Sequence, residues 1–348
     1  MTPPTEPVRA FTGPPWARSA VISQAFWVTP ALIAIPAALA DPEHSWRLHW
    51  SPDNEMYIGP SDIEGGESVA LEAPADIPAE LLVAHRRLRG YVALAVPAPL
   101  LPLVPDILRG QIALSSPARY TTGVQTAYVL DALYAGAATS RTFGAHPTGH
   151  DTTFALWAPT AQSVTLLTWP PGPGPDQPIP EADRRPMTRE TDGSWTLTID
   201  APPQTPYLYE VVVYSTATGR IEANHVTDPY SLGLTLNSTR SVVLDMAGPD
   251  ARPPSWEDAP APPPQRFVDA SIYELHIRDF SASDATVPPH HRGSYLAFAD
   301  DTTGSRHLHQ LAEAGLTTVH LLPAFDFASV DEDRTTWAPI PSELNDLP

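Results

Sequence analysis

"SIYELHIRDFSAS", residues 271–283, alternates Tyr273, Leu275 and Ile277 with Glu274, His276 and Arg278. A period of two is that of an extended strand with unlike faces, here one apolar and one carrying three ionisable groups. Downstream, "GSRHLHQLAEAGLTTVHLLPAF" (304–325) repeats Leu308, Leu311, Ala312 and Leu316 at helical spacing. Ser305 is placed to cap the start of that helix and Gly315 to close its end, since glycine takes left-handed backbone at little cost. "TTVHLLPAF" then has the β-branched and apolar composition of a second strand, stopped by Pro323. Strand, helix and strand within about fifty residues make a βαβ unit with parallel strands. The helix covers the Tyr273/Leu275/Ile277 face, so Glu274, His276 and Arg278 point inward. A polar inward face suits a (β/α)8 barrel, whose strands carry functional residues at their carboxyl ends, better than an open sheet.

The wording of these segments resembles a known family. "YELHIRDFS" (273–281), "HRGSYLAF" (291–298), "HLHQLAEAGLTTVHLLPAFDF" (307–327) and "VDED" (330–333) are similar to the opening of the catalytic barrel of pullulanase-type debranching enzymes, in the α-amylase superfamily. "TTFALWAPTAQSVTLLTW" (152–169) and "VTDPYSLGLTLNSTRSVVLD" (226–245) resemble the immunoglobulin-like starch-binding-type domain preceding that barrel. "AHRRLRGYVALAV" (84–96), "ILRGQIAL" (107–114) and "TGVQTAYVLDALY" (122–134) resemble the extra N-terminal domain of pullulanases. The order of these phrases, spread over residues 25–337, is more specific than any one of them.

The resemblance implies a multidomain chain. Mostly-β N-terminal domains, including an immunoglobulin-like β-sandwich, are followed by the truncated start of a (β/α)8 barrel. Punctuation places the divisions: a loose proline-rich leader over 1–24, a first domain over 25–140, a sandwich over 141–246, a proline-rich linker over 247–266, and a first βαβ unit over 267–348. In the first domain, "AFWVTPALIAIP" (25–36) reads as a strand pair. "SWRLHWS" and "ESVALEA" read as strands, and the stretches 79–89 and 125–134 as helical. In the second, "TFALWAP", "SVTLLTW", "SWTLTI" and "YLYEVVVYS" are strands separated by turns such as Asp192-Gly193.

Composition excludes several functions. Forty acidic against 20 basic residues give a net charge of −20, which repels phosphate backbones and anionic membranes. Every basic residue is arginine, which removes a Walker-type phosphate loop, a pyridoxal Schiff base and a lysine base. Without cysteine there is no thiol nucleophile, disulfide or thiolate metal site. With 348 residues, 42% of them hydrophobic, the chain can build more than one core. No apolar run is long enough to span a bilayer. "SAVISQAFWVTPALIAIPAALADPE" (19–43) ends in an Ala-Leu-Ala resembling a signal-peptide cleavage site, but Gln24, Thr29, Pro30 and Pro36 interrupt it. A cytoplasmic location is expected, with secretion as the alternative.

Among candidate sites, Trp157, Trp169 and Trp195 could each stack on a sugar ring. Trp157 and Trp195 lie inside strand patterns and read as core, which leaves Trp169 as the carbohydrate-binding candidate. Glu210 stands where related glycogen-binding domains place a lysine. His307 and His309 lie two apart on a helix and cannot share a metal; His290 and His291 lie in a loop without an acidic-histidine pattern. Asp331, Glu332 and Asp333 read as an exposed acidic turn or, less simply, as calcium ligands. No cofactor is expected, although the resemblance allows calcium in a full-length family enzyme.

Retaining glycoside hydrolysis needs two carboxylates about 5 Å apart. In the α-amylase superfamily these come from the fourth, fifth and seventh barrel strands, and no matching segment occurs in these 348 residues. "RFVD" (266–269) precedes the first strand and is rejected as a nucleophile. No catalytic residue is therefore assigned. Glu274, His276 and Arg278 are read as barrel-interior support, with Glu274 paired to Arg278. The resemblance implies hydrolysis of α-1,6 branch points in pullulan, starch or glycogen, with the chain itself inactive and a separately encoded C-terminal catalytic part as a possible partner. The alternative is a non-catalytic α-glucan-binding module.

Overall fold

The computed structural model describes residues 23–40, 46–72, 75–116, 120–172, 180–249, 251–252, 256–258, 266–322, 324 and 330–337. Residues 1–22 of the 1–24 leader, most of the linker, Pro323 and Phe325 lie outside them. The chain divides into two compact units, Met1–Ala251 and Arg252–Pro348.

The first unit begins with the expected hairpin. Ala25–Thr29 and Leu32–Pro36 are antiparallel, Phe26 opposite Ala34 and Trp27 opposite Ile33. "AFWVT" and "LIAI" are continuously apolar because both faces of their sheet are covered. Trp27, Ile33 and Ile35 pack on one side with Leu48, Leu94 and Leu114, whereas Phe26, Val28 and Ala34 pack on the other with Leu88 and Ala93. The sheet has seven strands, in the order Glu67–Ala70, Arg47–Ser51, Gln111–Ser116, Tyr120–Gln125, Ala25–Thr29, Leu32–Pro36 and Tyr91–Ala95. Its pairing of Ala25–Thr29 with Tyr120–Gln125 is parallel; the other neighbours are antiparallel. The helix Ala127–Ala138 follows the last strand and buries Val129 and Tyr134.

The sandwich follows at once. One sheet runs Gly144–Thr148, Asp151–Trp157, Ser194–Asp200, Thr188–Arg189. The other runs Asp183–Pro186, Ala161–Thr168, Pro206–Ser215, Ser241–Val242, Gly233–Leu234, with Arg220–Val226 also paired to Pro206–Ser215. Phe154, Leu156 and Trp195 of the first sheet meet Val164, Leu166, Tyr207 and Tyr209 of the second. Trp195 is thus core, its Nε1 donating to the Ala158 carbonyl at 2.9 Å. At the Asp192-Gly193 turn, Gly193 has φ +77, and a Cβ there would lie 2.8 Å from Pro159 Cβ. Only glycine satisfies both demands.

Polar contacts join the sheet domain to the sandwich. Arg109 donates to the carbonyls of Ala161 and Gln162 at 2.9 and 2.6 Å, and the Gln162 amide donates back to the carbonyls of Pro52 and Arg109. Asn54 donates to the Gly219 carbonyl at 2.9 Å; within the sandwich, Arg141 pairs with Asp192 at 2.6 Å.

The second unit contains the expected parallel pair, Ile272–Leu275 and Thr318–Leu321, with the helix Thr303–Glu313 between them in sequence. Its details depart from the sequence reading. The first strand stops at Leu275, and His276 is the N-cap of a short helix, Ile277–Ser281, its Nδ1 accepting from the Asp279 amide at 3.4 Å. A local cap interrupts the alternation, so Glu274, His276 and Arg278 do not share a strand face. Thr302, not Ser305, caps the longer helix. Ser305 is its third residue and accepts from the Thr302 amide at 2.9 Å, completing a capping box. Gly315 closes it with φ +106, as expected.

Candidate functional site

The outer face of the larger sandwich sheet carries the sequence-predicted Trp169. Along Ala161–Thr168, Val164 and Leu166 enter the core. Alternation therefore puts Thr165, Leu167 and Trp169 on the opposite face, and Glu210, directly across from Thr165, joins them. Trp169 is half-buried. Its Nε1 donates to the Pro180 carbonyl at 3.1 Å, fixing the indole edge, and the Arg240 guanidinium lies over its ring, 4.4 Å from the centroid. One face of the proposed platform is thus occupied by a cation. Sequence reasoning missed Arg240, because 71 residues separate it from Trp169 and the contact depends on Ser241–Val242 pairing beside Pro206–Ser215.

Glu210 is no bare replacement for a lysine. Its carboxylate accepts from Arg184 at 2.6 Å and from His225 at 2.9 Å, the three side chains coming from three different strands. The hydrogen bond from Arg184, then that from His225, holds the Glu210 carboxyl below the usual range against the opposing effect of burial. Trp157, read as core, is half-buried, and its Nε1 is buried without a hydrogen-bond partner.

Beneath this face lies a buried acid that sequence reasoning did not single out. Asp228 is 4% exposed; its Oδ2 accepts from the hydroxyls of Tyr207 and Tyr209 at 2.9 and 3.1 Å, and its Oδ1 from the Tyr230 amide at 2.8 Å. Burial pushes its carboxyl above the usual range despite those donors. Burial also raises both phenols, with the Asp228 charge adding to it. The group ties the 228–231 turn to the core.

In the second unit, Glu274 pairs with His320, its direct neighbour on the parallel strand, at 3.2 Å. This corrects the expected Glu274–Arg278 pair: Arg278 lies in the short helix, beyond the strand that carries Glu274. Both partners of the observed pair are more than half exposed, so the bond adds little stability. His291 bonds Asp300 through Nδ1 at 2.7 Å, pinning the long loop between strand and helix. Asp331 accepts from the side chains of Thr336 and Trp337, so the acidic turn is closed by its own chain. Among the described residues, no group of three or more His, Cys, Asp or Glu side chains could hold a metal.

Comparison with known proteins decides what this arrangement is. Residues 22–132 match the pullulanase N2 domain, and residues 142–231 match carbohydrate-binding module 48, the isoamylase N-terminal domain. The chain is 33% identical over 339 residues to chloroplastic pullulanase 1 of Arabidopsis thaliana, covering 93% of this chain and 34% of that protein. It is 32% identical over 330 residues to a Klebsiella pneumoniae pullulanase, covering 89% of this chain and 29% of that one.

Over most of its own length the chain is similar to pullulanases.

Solved pullulanases share its fold. The apo enzyme from Klebsiella pneumoniae superposes with a TM-score of 0.80 at 31% identity, over 91% of this chain and 34% of that one. The same organism's pullulanase in complex with maltotriose gives 0.79 at 31% identity, over 90% and 34%. The chain spans about a third of the length of the relatives it matches. Trp169, Glu210 and Asp228 lie within the residues matched to module 48, whereas Arg240, beside the strand Ser241–Val242 of the same sheet, lies just past them. Glu274 and His320 lie beyond both matched domains.

Proposed function

We propose that this chain serves the hydrolysis of α-1,6-glucosidic branch points in pullulan, starch or glycogen. Residues 25–140 and 141–246 act as the N-terminal domain and the α-glucan-binding sandwich, and 247–266 as the linker. Residues 267–348 form the opening βαβ unit of a (β/α)8 barrel. Trp169 is the sugar-stacking residue, and Glu274, His276 and Arg278 support the barrel interior. The observation that carries this reading is the order within one chain: an N2 domain, a module 48 sandwich, then a parallel βαβ unit bearing "YELHIRDFS".

Hydrolysis itself needs carboxylates these residues do not supply. Among the described residues of the second unit, Glu274 is the only acid on a strand, and it is engaged with His320. A retaining mechanism requires two carboxyls facing one glycosidic bond. The 348-residue chain alone is therefore expected to release no reducing sugar from pullulan while being retained on insoluble starch. Trp169→Ala should abolish that retention. Reducing-sugar release that scales with protein and survives repurification would overturn the inactivity; unchanged starch retention by Trp169→Ala would overturn the binding role.

A further inference from the structure

The contact between Arg240 and Trp169 has a use that the sugar-binding reading does not itself contain. We propose that Arg240 is a displaceable lid: it covers the Trp169 ring in the free chain and swings away when the CH face of an α-linked glucose stacks there. The inference rests on the proposed sugar-stacking role of Trp169.

Three observations support a lid over a permanent brace. The indole is already fixed at its edge by the Nε1 bond to Pro180, so the platform does not need Arg240 to stay in place. The guanidinium is poorly held apart from the ring. It forms no ion pair among the described residues, and its Nε is buried without a hydrogen-bond partner, which favours an alternative position in water. The backbone beneath it, in contrast, is fixed. Thr235 donates its amide to the Arg240 carbonyl at 2.9 Å, and the Arg240 amide donates to Thr235 Oγ1 at 3.0 Å. The loop so closed contains Asn237 at φ 57 and Ser238 at φ 52, two successive non-glycine residues in left-handed conformation. Such strain persists only where the surroundings over-determine the backbone. A rigid loop with a loosely held side chain lets the guanidinium move without unfolding anything.

The competing contacts are of one kind. A cation over an indole and a pyranose stacked on that same face of it exclude each other, so only one of the two can be made there at a time. Removing the arginine should tighten a neutral α-glucan by the strength of the cation–π contact, about twofold to thirtyfold.

The test uses the full chain, with Arg240→Ala, Trp169→Phe and the double variant. Oxidation of Trp169 by N-bromosuccinimide, taken as the difference from Trp169→Phe, reports whether the ring is covered. Calorimetric titration with β-cyclodextrin reports binding. The lid predicts faster Trp169 oxidation in Arg240→Ala, unchanged far-UV circular dichroism and tighter β-cyclodextrin binding that Trp169→Phe abolishes. Unchanged oxidation would overturn it, as would faster oxidation with weaker binding, which would make Arg240 a sugar contact. Faster oxidation with no β-cyclodextrin binding by either protein would uphold the lid and refute the sugar-stacking role of Trp169.

Discussion

Replacing Asp228 by alanine should be among the most damaging single changes in the sandwich, and its cost can be worked from its partners. Three donors converge on the carboxylate: the hydroxyls of Tyr207 and Tyr209 and the Tyr230 amide. Tyr207 is 1% and Tyr209 0% exposed, so water cannot take the carboxylate's place at either hydroxyl. A buried donor left unsatisfied costs about 1–3 kcal/mol. Tyr207 has the Ser231 and Ser241 hydroxyls within its reach and Tyr230 is 39% exposed, which leaves the Tyr209 hydroxyl stranded and a loss of about 1–3 kcal/mol. For a unit of this size that lowers the melting temperature by about 2–12 °C. Asp228→Asn should behave differently. It keeps an acceptor for the phenols and removes a charge that burial disfavours, so its loss should stay near about 1 kcal/mol.

The pH dependence has a definite sign. Burial raises the Asp228 carboxyl above its ordinary value, so the folded state binds the proton more tightly than the unfolded chain does. That contribution is fully present below the ordinary aspartate value and is lost as pH rises through the raised one. Asp228→Asn removes this slope. Thermal unfolding followed by near-ultraviolet circular dichroism between pH 4 and 8 measures both effects. An alanine variant melting within about 2 °C of the parent would refute the reasoning.

Other outcomes follow from the same contacts. Burial raises the Asp192 carboxyl, but hydrogen bonds from Ser194 and Arg141 together outweigh it and hold the group below its usual value. Its stabilisation is therefore present above the ordinary aspartate value and lost as pH falls through the lowered one. Arg141→Ala should cost about 1–2 kcal/mol at pH 7 in urea unfolding, and a deficit that persists undiminished near pH 2 would contradict the assignment. Limited trypsin digestion should cut after Arg266, Arg278 or Arg306 before it opens the first unit, because Phe267, Val268 and Ile272 are 100%, 83% and 62% exposed. Equal resistance of both units, followed by mass spectrometry, would count against that order.

Much of the fold was legible because it rests on periodicity. The hairpin of 25–36, the four long sandwich strands, the Asp192-Gly193 turn and the parallel βαβ pairing are all written in apolar spacing and turn residues. What was not legible rests on single hydrogen bonds. His276 continues a perfect alternation, and only its ring nitrogen meeting the Asp279 amide ends the strand. Ser305 and Thr302 are both good caps, and the reciprocal bond decides between them. The candidate site was half legible. Trp169 stood out by residue type, whereas Arg240 and Asp228 act through pairings set by sheet register, which no local pattern reports.

The clasp of Arg109 and Gln162 bears on any attempt to use the sandwich as a detachable starch tag. On the sandwich side, the acceptors for Arg109 are the main-chain carbonyls of Ala161 and Gln162. A substitution at Ala161 therefore leaves the donors of the seam in place, whereas one at Gln162 loses its amide bonds to Pro52 and Arg109. A cut near residue 141 would remove the Arg109 donors at a stroke. The freed carbonyls would sit at the lip of Ala161–Thr168, the strand that leads into Trp169. The smallest portable unit is therefore expected to begin near residue 23 and to carry the seven-stranded sheet as a splint.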